Sequence, residues 1–282
     1  MEFWFTEKHT DHTKFSIQVK EQLYHGVTKY QTIDFFDTYE FGRCLTLDGS
    51  MMVNEKDEFI YHEMIVHVAM ATNPSIENVL VIGGGDGGTV RELTRYPHIK
   101  KIDMVEVDEQ VVRLSQKYLP LTSSKLKDER VCLYFDDGTT FVSGVDQAYD
   151  LIIVDSTDPI GPGEGLFSKA FYENCYNALT EKGILVNQHE SPYYEEDSKE
   201  MIRSHKKIKS MFEISKVYQF HMPTYPSGHW LFGFASKSLD PIEDAQFEKW
   251  LSFGLETKYY NINIHKGSFY LPTYVLNMLD EV

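Results

Sequence analysis

The stretch Val79-Leu80-Val81-Ile82-Gly83-Gly84-Gly85-Asp86-Gly87-Gly88-Thr89-Val90-Arg91-Glu92 constrains the fold more than any other. An apolar run breaks into glycines and resumes with helix formers, which predicts a strand, a tight turn and a helix. Gly83, Gly85 and Gly88 have the spacing G-x-G-x-x-G, in which missing side chains let the backbone turn sharply and let a ligand approach the helix N-terminus. Eighteen residues beyond Gly88 comes Glu106, closing a second apolar run, Ile102–Glu106. A carboxylate there suits the two hydroxyls of a ribose. Glycine spacing alone also fits a plain tight turn; strand, helix and spaced acid together favour a nucleotide-like ligand.

Asp86 puts a carboxylate inside this loop. A loop that cradles a pyrophosphate works through backbone N–H groups and the positive end of a helix dipole, and a fixed negative charge there opposes the ligand. A dinucleotide is therefore disfavoured, and a nucleoside carrying a sulfonium or an ammonium fits the same pocket with the sign reversed. The alternative is that Asp86 points outward and caps the following helix.

After Pro74 apolar runs alternate with helical stretches: Val79–Ile82, Ile102–Glu106, Val131–Phe135, Leu151–Val154 and Ile184–Gln188, followed by Phe212–Tyr218 and Trp230–Ala235 on either side of a Pro-rich loop. This predicts a mostly parallel, helix-covered α/β sheet of seven strands. A tail with Phe247, Trp250 and Leu251 is expected to be helical. Before the alternation, residues from about Phe15 to Val53 alternate in polarity and are rich in aromatic and β-branched types, with Asp48-Gly49 as a hairpin turn. Residues 1–56 are thus expected to form a small antiparallel β-domain and residues 57–282 a Rossmann-like domain. The latter opens with a helix from Asp57 to about Ala71 that carries Ile60, Met64, Val68 and Ala71 at helical spacing.

Ligands of such sheets bind beyond the carboxyl ends of the strands, where strand order reverses. Those ends carry Asp86, Glu106, Asp136-Asp137-Gly138, Asp155-Ser156-Thr157-Asp158-Pro159 and Gln188-His189-Glu190. Each acid alone has an ordinary explanation in turns and caps. Together they make a cleft that is unfavourable unless it binds a cation or shares a proton. Converging oxygen ligands leave Mg²⁺ open. Tyr61, Tyr225 and Trp4 favour an alkylammonium, for which aromatic rings beside carboxylates make a slot; plain core packing is the alternative for each ring. His62-Glu63 and His67 imitate a zinc-protease motif, but histidines five apart lie ~140° apart around a helix and do not share one metal.

A formal net charge of −16, from 27 basic and 43 acidic residues, argues against nucleic-acid and anionic-membrane partners. Three cysteines without metal-type spacing, Cys44, Cys132 and Cys175, indicate a reducing compartment, and neither a leader nor a membrane span is recognisable. A cytoplasmic location is expected.

The chain resembles the spermidine synthases, the polyamine aminopropyltransferases, over nearly its whole length. The motifs that carry the resemblance occur in order: Trp4-Phe5-Thr6-Glu7, Leu47-Asp48-Gly49, Asp57-Glu58-Phe59-Ile60-Tyr61-His62-Glu63-Met64, Gly83 to Gly88, Asp137-Gly138, Asp155 to Pro162, Pro223-Thr224-Tyr225-Pro226-Ser227-Gly228 and Tyr259-Tyr260-Asn261 with His265. Met52 departs from a Gln found in some relatives. The resemblance implies a class I methyltransferase-like fold and a homodimer or homotetramer formed with help from the N-terminal β-domain. It also implies transfer of the aminopropyl group of decarboxylated S-adenosylmethionine, a co-substrate and not a cofactor, to putrescine.

Carried onto this sequence, it assigns Glu106 to the ribose hydroxyls, Asp137 and Gly138 to adenine, Gln31 to the ribose end and Pro162 to packing on the adenine. Asp86 would hold the donor's ammonium. Asp155 would be the base, oriented by Tyr61 and Tyr225. Asp158 would hold the amine, with His62, Gln188, Glu190 and Trp4 on its side of the cleft and no metal. Elementary chemistry agrees. An amine with a pKa near ~10 attacks only after losing a proton, and a carboxylate among carboxylates has a raised pKa suited to taking it. A sulfonium is already a good leaving group, so alignment and exclusion of water remain. A putrescine methyltransferase, a nicotinamide oxidoreductase and a non-catalytic polyamine-binding protein are the rival readings; Asp86 opposes the first two.

Overall fold

The computed structural model describes residues 2–156 and 161–280 of the 282, with Gly161, Pro162 and Glu164 described in their backbone alone. The N-terminal part is a five-stranded antiparallel meander of β1 (Phe3–Lys8), β2 (Lys14–Val27), β3 (Thr32–Thr38), β4 (Arg43–Leu47) and β5 (Ser50–Asn54), ordered as in the chain. Asp48 and Gly49 join β4 to β5 with φ of 49° and 84°, the pair of positive values expected of an Asp-Gly hairpin turn. β1 lies ahead of the β-rich stretch read from the sequence. It pairs Phe5 with Ile17, turning Phe5 and Glu7 inward and Trp4 and Thr6 outward.

Helix α1 (Glu58–Thr72) leads into a seven-stranded sheet of β6 (Asn78–Gly83), β7 (Lys101–Val105), β8 (Val131–Tyr134), β9 (Tyr149–Asp155), β10 (Leu179–Gln188), β11 (Ile214–His221) and β12 (His229–Ser236). Their spatial order is β11-β12-β10-β9-β6-β7-β8. β6 to β10 run parallel because each crossover carries helix: α2 (Gly88–Thr94), α3 (Glu109–Tyr118), α4 (Gly138–Val142) and α5 (Lys169–Ala178). α6 (Glu195–Lys209) leads to β11, which turns directly into antiparallel β12. Alternate residues of the central strands feed two cores. Val79, Val81, Leu151 and Ile153 pack under α1, and Leu80, Ile82, Ile152 and Val154 pack under α5.

The sequence reading gave α1 one apolar face, yet every residue of it except Phe59 is buried. The chain's C-terminal part covers the other side with α7 (Phe247–Ser252) and α8 (Ile262–Ser268), Trp250 packing inward and Leu251 remaining exposed, while α9 (Thr273–Asp280) packs on α6. One buried charged group on α1 is satisfied there. Glu63 accepts the backbone N–H groups of Lys258, Tyr259 and Tyr260, each at 2.8 Å. No helix among the described residues is long and apolar enough to cross a membrane, and the three cysteines are free thiols.

Candidate active site

Strand order reverses between β6 and β9, and there the register pairs Gly83 with Asp155. The Gly83 backbone has φ of 84° and passes so close to β9 that a Cβ would lie 2.0 Å from the Asp155 carbonyl. Only glycine brings the two strand ends together in this way. The cleft opening at this point is roofed by Leu45, Leu47, Met51 and Met52 of the first sheet.

Asp155 ends β9 in the floor. Its Oδ1 accepts the Tyr61 hydroxyl at 2.8 Å and its Oδ2 the Thr89 hydroxyl at 2.6 Å. Burial and the neighbouring Asp86 charge raise its pKa above the ordinary carboxylate value, against the opposing pull of His62 and the two hydroxyls. Tyr61 is itself buried and held protonated, first by desolvation and then by the Asp155 charge. Its hydroxyl also lies 3.2 Å from Gln188 Oε1, and Gln188 donates to Glu190 at 3.1 Å. Tyr225 packs edge-on against Tyr61 at 6.2 Å and donates its hydroxyl to the Met52 carbonyl at 2.8 Å, tying the loop after β11 to the roof.

Asp86 faces the cleft and also bonds the start of the following helix. Its Oδ1 accepts the Gly88 N–H at 2.9 Å, at the start of α2, while the residue still lines the cleft. The same oxygen lies 3.3 Å from His62 Nε2, and His62 Nδ1 lies 2.6 Å from Glu58. Burial opposes a charge on this imidazole, but Asp86 and Glu58 prevail and push its pKa up to about 10. Ligand atoms of His62, Asp86 and Asp155 lie within 4.8 Å of one another. An imidazolium offers N–H and no lone pair, so a metal at this cluster would have to displace that proton. His67, the second histidine of the apparent metal motif, faces Glu92 and Tyr96 elsewhere.

On the other side of the loop, Glu106 accepts the Asp108 N–H at 3.0 Å; burial, then the charges of Asp108 and Asp155, push its carboxyl up to about 7. Gln31 reaches in from the first sheet and donates to Asp108 at 3.3 Å. Asp137 caps α4, accepting the Thr140 N–H at 2.7 Å and the Thr139 hydroxyl, and these bonds hold its pKa below the usual value although burial opposes them.

The structure therefore gathers Gln31, Tyr61, His62, Asp86, Glu106, Asp137, Gly138, Asp155, Gln188 and Tyr225 around one cleft. Glu190 lies behind Gln188. Trp4 is not among the lining residues: on a strand successive side chains alternate, and Glu7 takes the cleft side while Trp4 is 49% exposed with its Nε1 on Glu2. Asp158 and the side chain of Pro162 lie outside the described residues. Sequence reasoning gave no role to Thr89, Asp108, Glu58 or Arg91. Asp108 had a signal, as an N-cap ahead of α3; the others are ordinary helix residues until the fold brings them to the acids.

Residues 58–245 match the spermine/spermidine synthase domain and residues 3–55 the spermidine synthase tetramerisation domain. A polyamine aminopropyltransferase of Clostridium botulinum (strain Eklund 17B / Type B) is 65% identical over 281 residues, covering 100% of this chain and 99% of that protein. The polyamine aminopropyltransferase of Clostridioides difficile (strain 630) is 62% identical over 282 residues, with both chains covered in full. Among solved structures, a spermidine synthase in complex with the transition-state analogue AdoDATO superposes with a TM-score of 0.96 at 39% identity, covering 99% of this chain and 96% of that one. Spermidine synthase from Thermotoga maritima gives 0.95 at 39% identity, with 99% and 95% covered. The two-sheet architecture is thus the methyltransferase-like α/β fold of these enzymes, and the chain belongs to the spermine/spermidine synthase family of polyamine aminopropyltransferases.

Proposed function

We propose that this enzyme moves the aminopropyl group of decarboxylated S-adenosylmethionine to putrescine, giving spermidine and methylthioadenosine by direct displacement. The observation that carries the reading is the pair of half-buried, adjacent carboxylates Asp86 and Asp155 in one cleft, with Glu106 at the next strand end. The amine nitrogen forms a bond to the propyl carbon attached to sulfur, the carbon–sulfur bond breaks with its electrons going to sulfur, and the proton lost from nitrogen passes to Asp155. Tyr61 and Thr89 fix that carboxylate by one hydrogen bond to each oxygen. Asp86 meets the donor's ammonium, and the carboxylate of ordinary S-adenosylmethionine would meet it with like charge. Glu106 and Gln31 serve the ribose; Asp137, Gly138 and Pro162 serve the adenine; Asp158, Gln188 and Glu190 serve the amine, while His62, with its two nitrogens toward Glu58 and Asp86, stands behind the acids.

No cofactor or metal enters this scheme. The match to a tetramerisation domain supports a homodimer or homotetramer built through the first sheet. Free thiols and an acidic surface support a cytoplasmic enzyme without nucleic-acid or membrane partners.

The test is incubation with decarboxylated S-adenosylmethionine and equimolar putrescine, cadaverine, agmatine and spermidine in the presence of EDTA, with products identified by mass spectrometry. Spermidine and methylthioadenosine in equal amounts are expected. Transfer to another amine in preference to putrescine would overturn the acceptor. Loss of activity on EDTA treatment, restored by a divalent cation, would turn the His62–Asp86–Asp155 cluster into a metal site.

A further inference from the structure

Two carboxylates in mutual reach in a buried cleft tend to share one proton, and a base that keeps the shared proton cannot accept another. A cation touching the pair removes the conflict. Among the described residues the basic group beside them is His62, its Nε2 3.3 Å from Asp86 Oδ1 and a ring nitrogen within 4.8 Å of an Asp155 oxygen. A buried imidazole left to itself would be neutral. Its other nitrogen, Nδ1, lies 2.6 Å from Glu58 one helical turn earlier on α1, and Glu58 in turn is gripped by both terminal nitrogens of Arg91 from α2, at 2.8 and 2.9 Å. Arg91 is braced at its Nε by Glu92 at 3.0 Å. Space for the ring comes from Gly88, where a Cβ would fall 2.2 Å from the imidazole.

We propose that Glu58 and Arg91 are positioning residues that hold His62 as an imidazolium against Asp86 and beside Asp155, so that Asp155 is free to take a proton at neutral pH. The groups facing His62 are Glu58 and Tyr61 from α1, Asp86 from the loop before α2, Asp155 from β9 and, through Glu58, Arg91 from α2. With Glu58 neutralised, the proton of the trio moves to the carboxylates and leaves only at higher pH. The inference rests on Asp155 being the base.

The experiment is the pH profile of kcat/KM for wild type, Glu58→Gln, Arg91→Lys and Arg91→Met, with methylthioadenosine binding as the check on folding and Asp155→Asn alongside. Glu58→Gln is expected to move the acid limb upward by about one unit or more, an approximately tenfold loss at pH values below the limb that recovers above it. Arg91→Met is expected to shift the limb and Arg91→Lys to restore part of it. A residue that only supports the fold would lower the rate equally at every pH. An unmoved limb with methylthioadenosine binding intact and Asp155→Asn inactive overturns the proposal alone; a fully active Asp155→Asn overturns the base reading instead. Wild-type histidine NMR, with the His62 signal identified by its loss in His62→Gln, gives a readout that no misfolded variant can confuse: His62 stays protonated from pH 6 to 9 if the proposal holds, and titration near 6.5 refutes it.

Discussion

At Asp155, burial and the neighbouring Asp86 charge oppose ionisation, and two hydroxyl donors favour it. Asp155→Asn keeps the shape and can accept one of the two hydroxyls at its amide oxygen, but its NH2 cannot accept the other and the proton acceptor is removed. We expect turnover to fall about 10²-fold or more while donor binding stays nearly intact, measured by single-turnover kinetics and calorimetry. Unchanged turnover would remove Asp155 from the base role. Glu106 yields a different prediction. Its carboxyl is pushed up to about 7, and ribose hydroxyls donate to the ionised form. Binding of methylthioadenosine therefore draws that pKa down and releases a proton, and affinity falls as pH drops through 7. Calorimetry in buffers of different ionisation enthalpy should find this release, and Glu106→Gln should abolish it. Asp86 was legible in the sequence because a carboxylate in a glycine loop contradicts phosphate binding. Thr89 was not, because a threonine after a glycine turn has no distinctive chemistry until β6 and β9 pair.

Central strands were legible as elements because strands buried on both faces read as unbroken apolar runs, and a parallel sheet fixes where their ends meet. β1 was missed because a strand with only one face buried gives a weak signal over six residues. The full burial of α1 was hidden for a different reason: Glu58, His62, Glu63 and His67 look solvent-facing in a one-dimensional pattern, and their buried partners come from distant elements. Between elements, a buried polar clamp joins the end of β5 to the loop that carries Tyr225. Asn54 donates to Asp57 at 2.6 Å, and the Thr224 hydroxyl donates to Asp57 at 2.8 Å. Thr224→Val keeps the volume and leaves a buried carboxylate short of one donor. It should cost about 1–3 kcal/mol in urea denaturation. It should also raise the amine KM more than it weakens methylthioadenosine binding, because Tyr225 packs on Tyr61 beside Asp155, the proposed base, where the amine has to approach; equal effects on both ligands would show that the clamp does not set the loop.

For the molecule as a whole, a formal charge of −16 and a cleft walled by acids act on the same ligands. Putrescine, the proposed acceptor, carries two positive charges near neutral pH, and decarboxylated S-adenosylmethionine, the proposed donor, carries a sulfonium and an ammonium. The summed field draws both toward the cleft and discourages polyanions, and it acts before contact is made. Contacts within the cleft are buried and only weakly screened, whereas the field outside is screened within about 10 Å at 0.1 M salt. Raising ionic strength from about 20 mM to about 500 mM should therefore lower kcat/KM for the amine several-fold while kcat changes much less. Methylthioadenosine is uncharged, and its affinity should stay nearly constant over the same range, separating steering from any general effect of salt on the fold. If kcat/KM is flat under conditions where the chemical step is preceded by rapid binding, the charge of −16 contributes to solubility and not to capture, and recognition rests on the cleft acids alone.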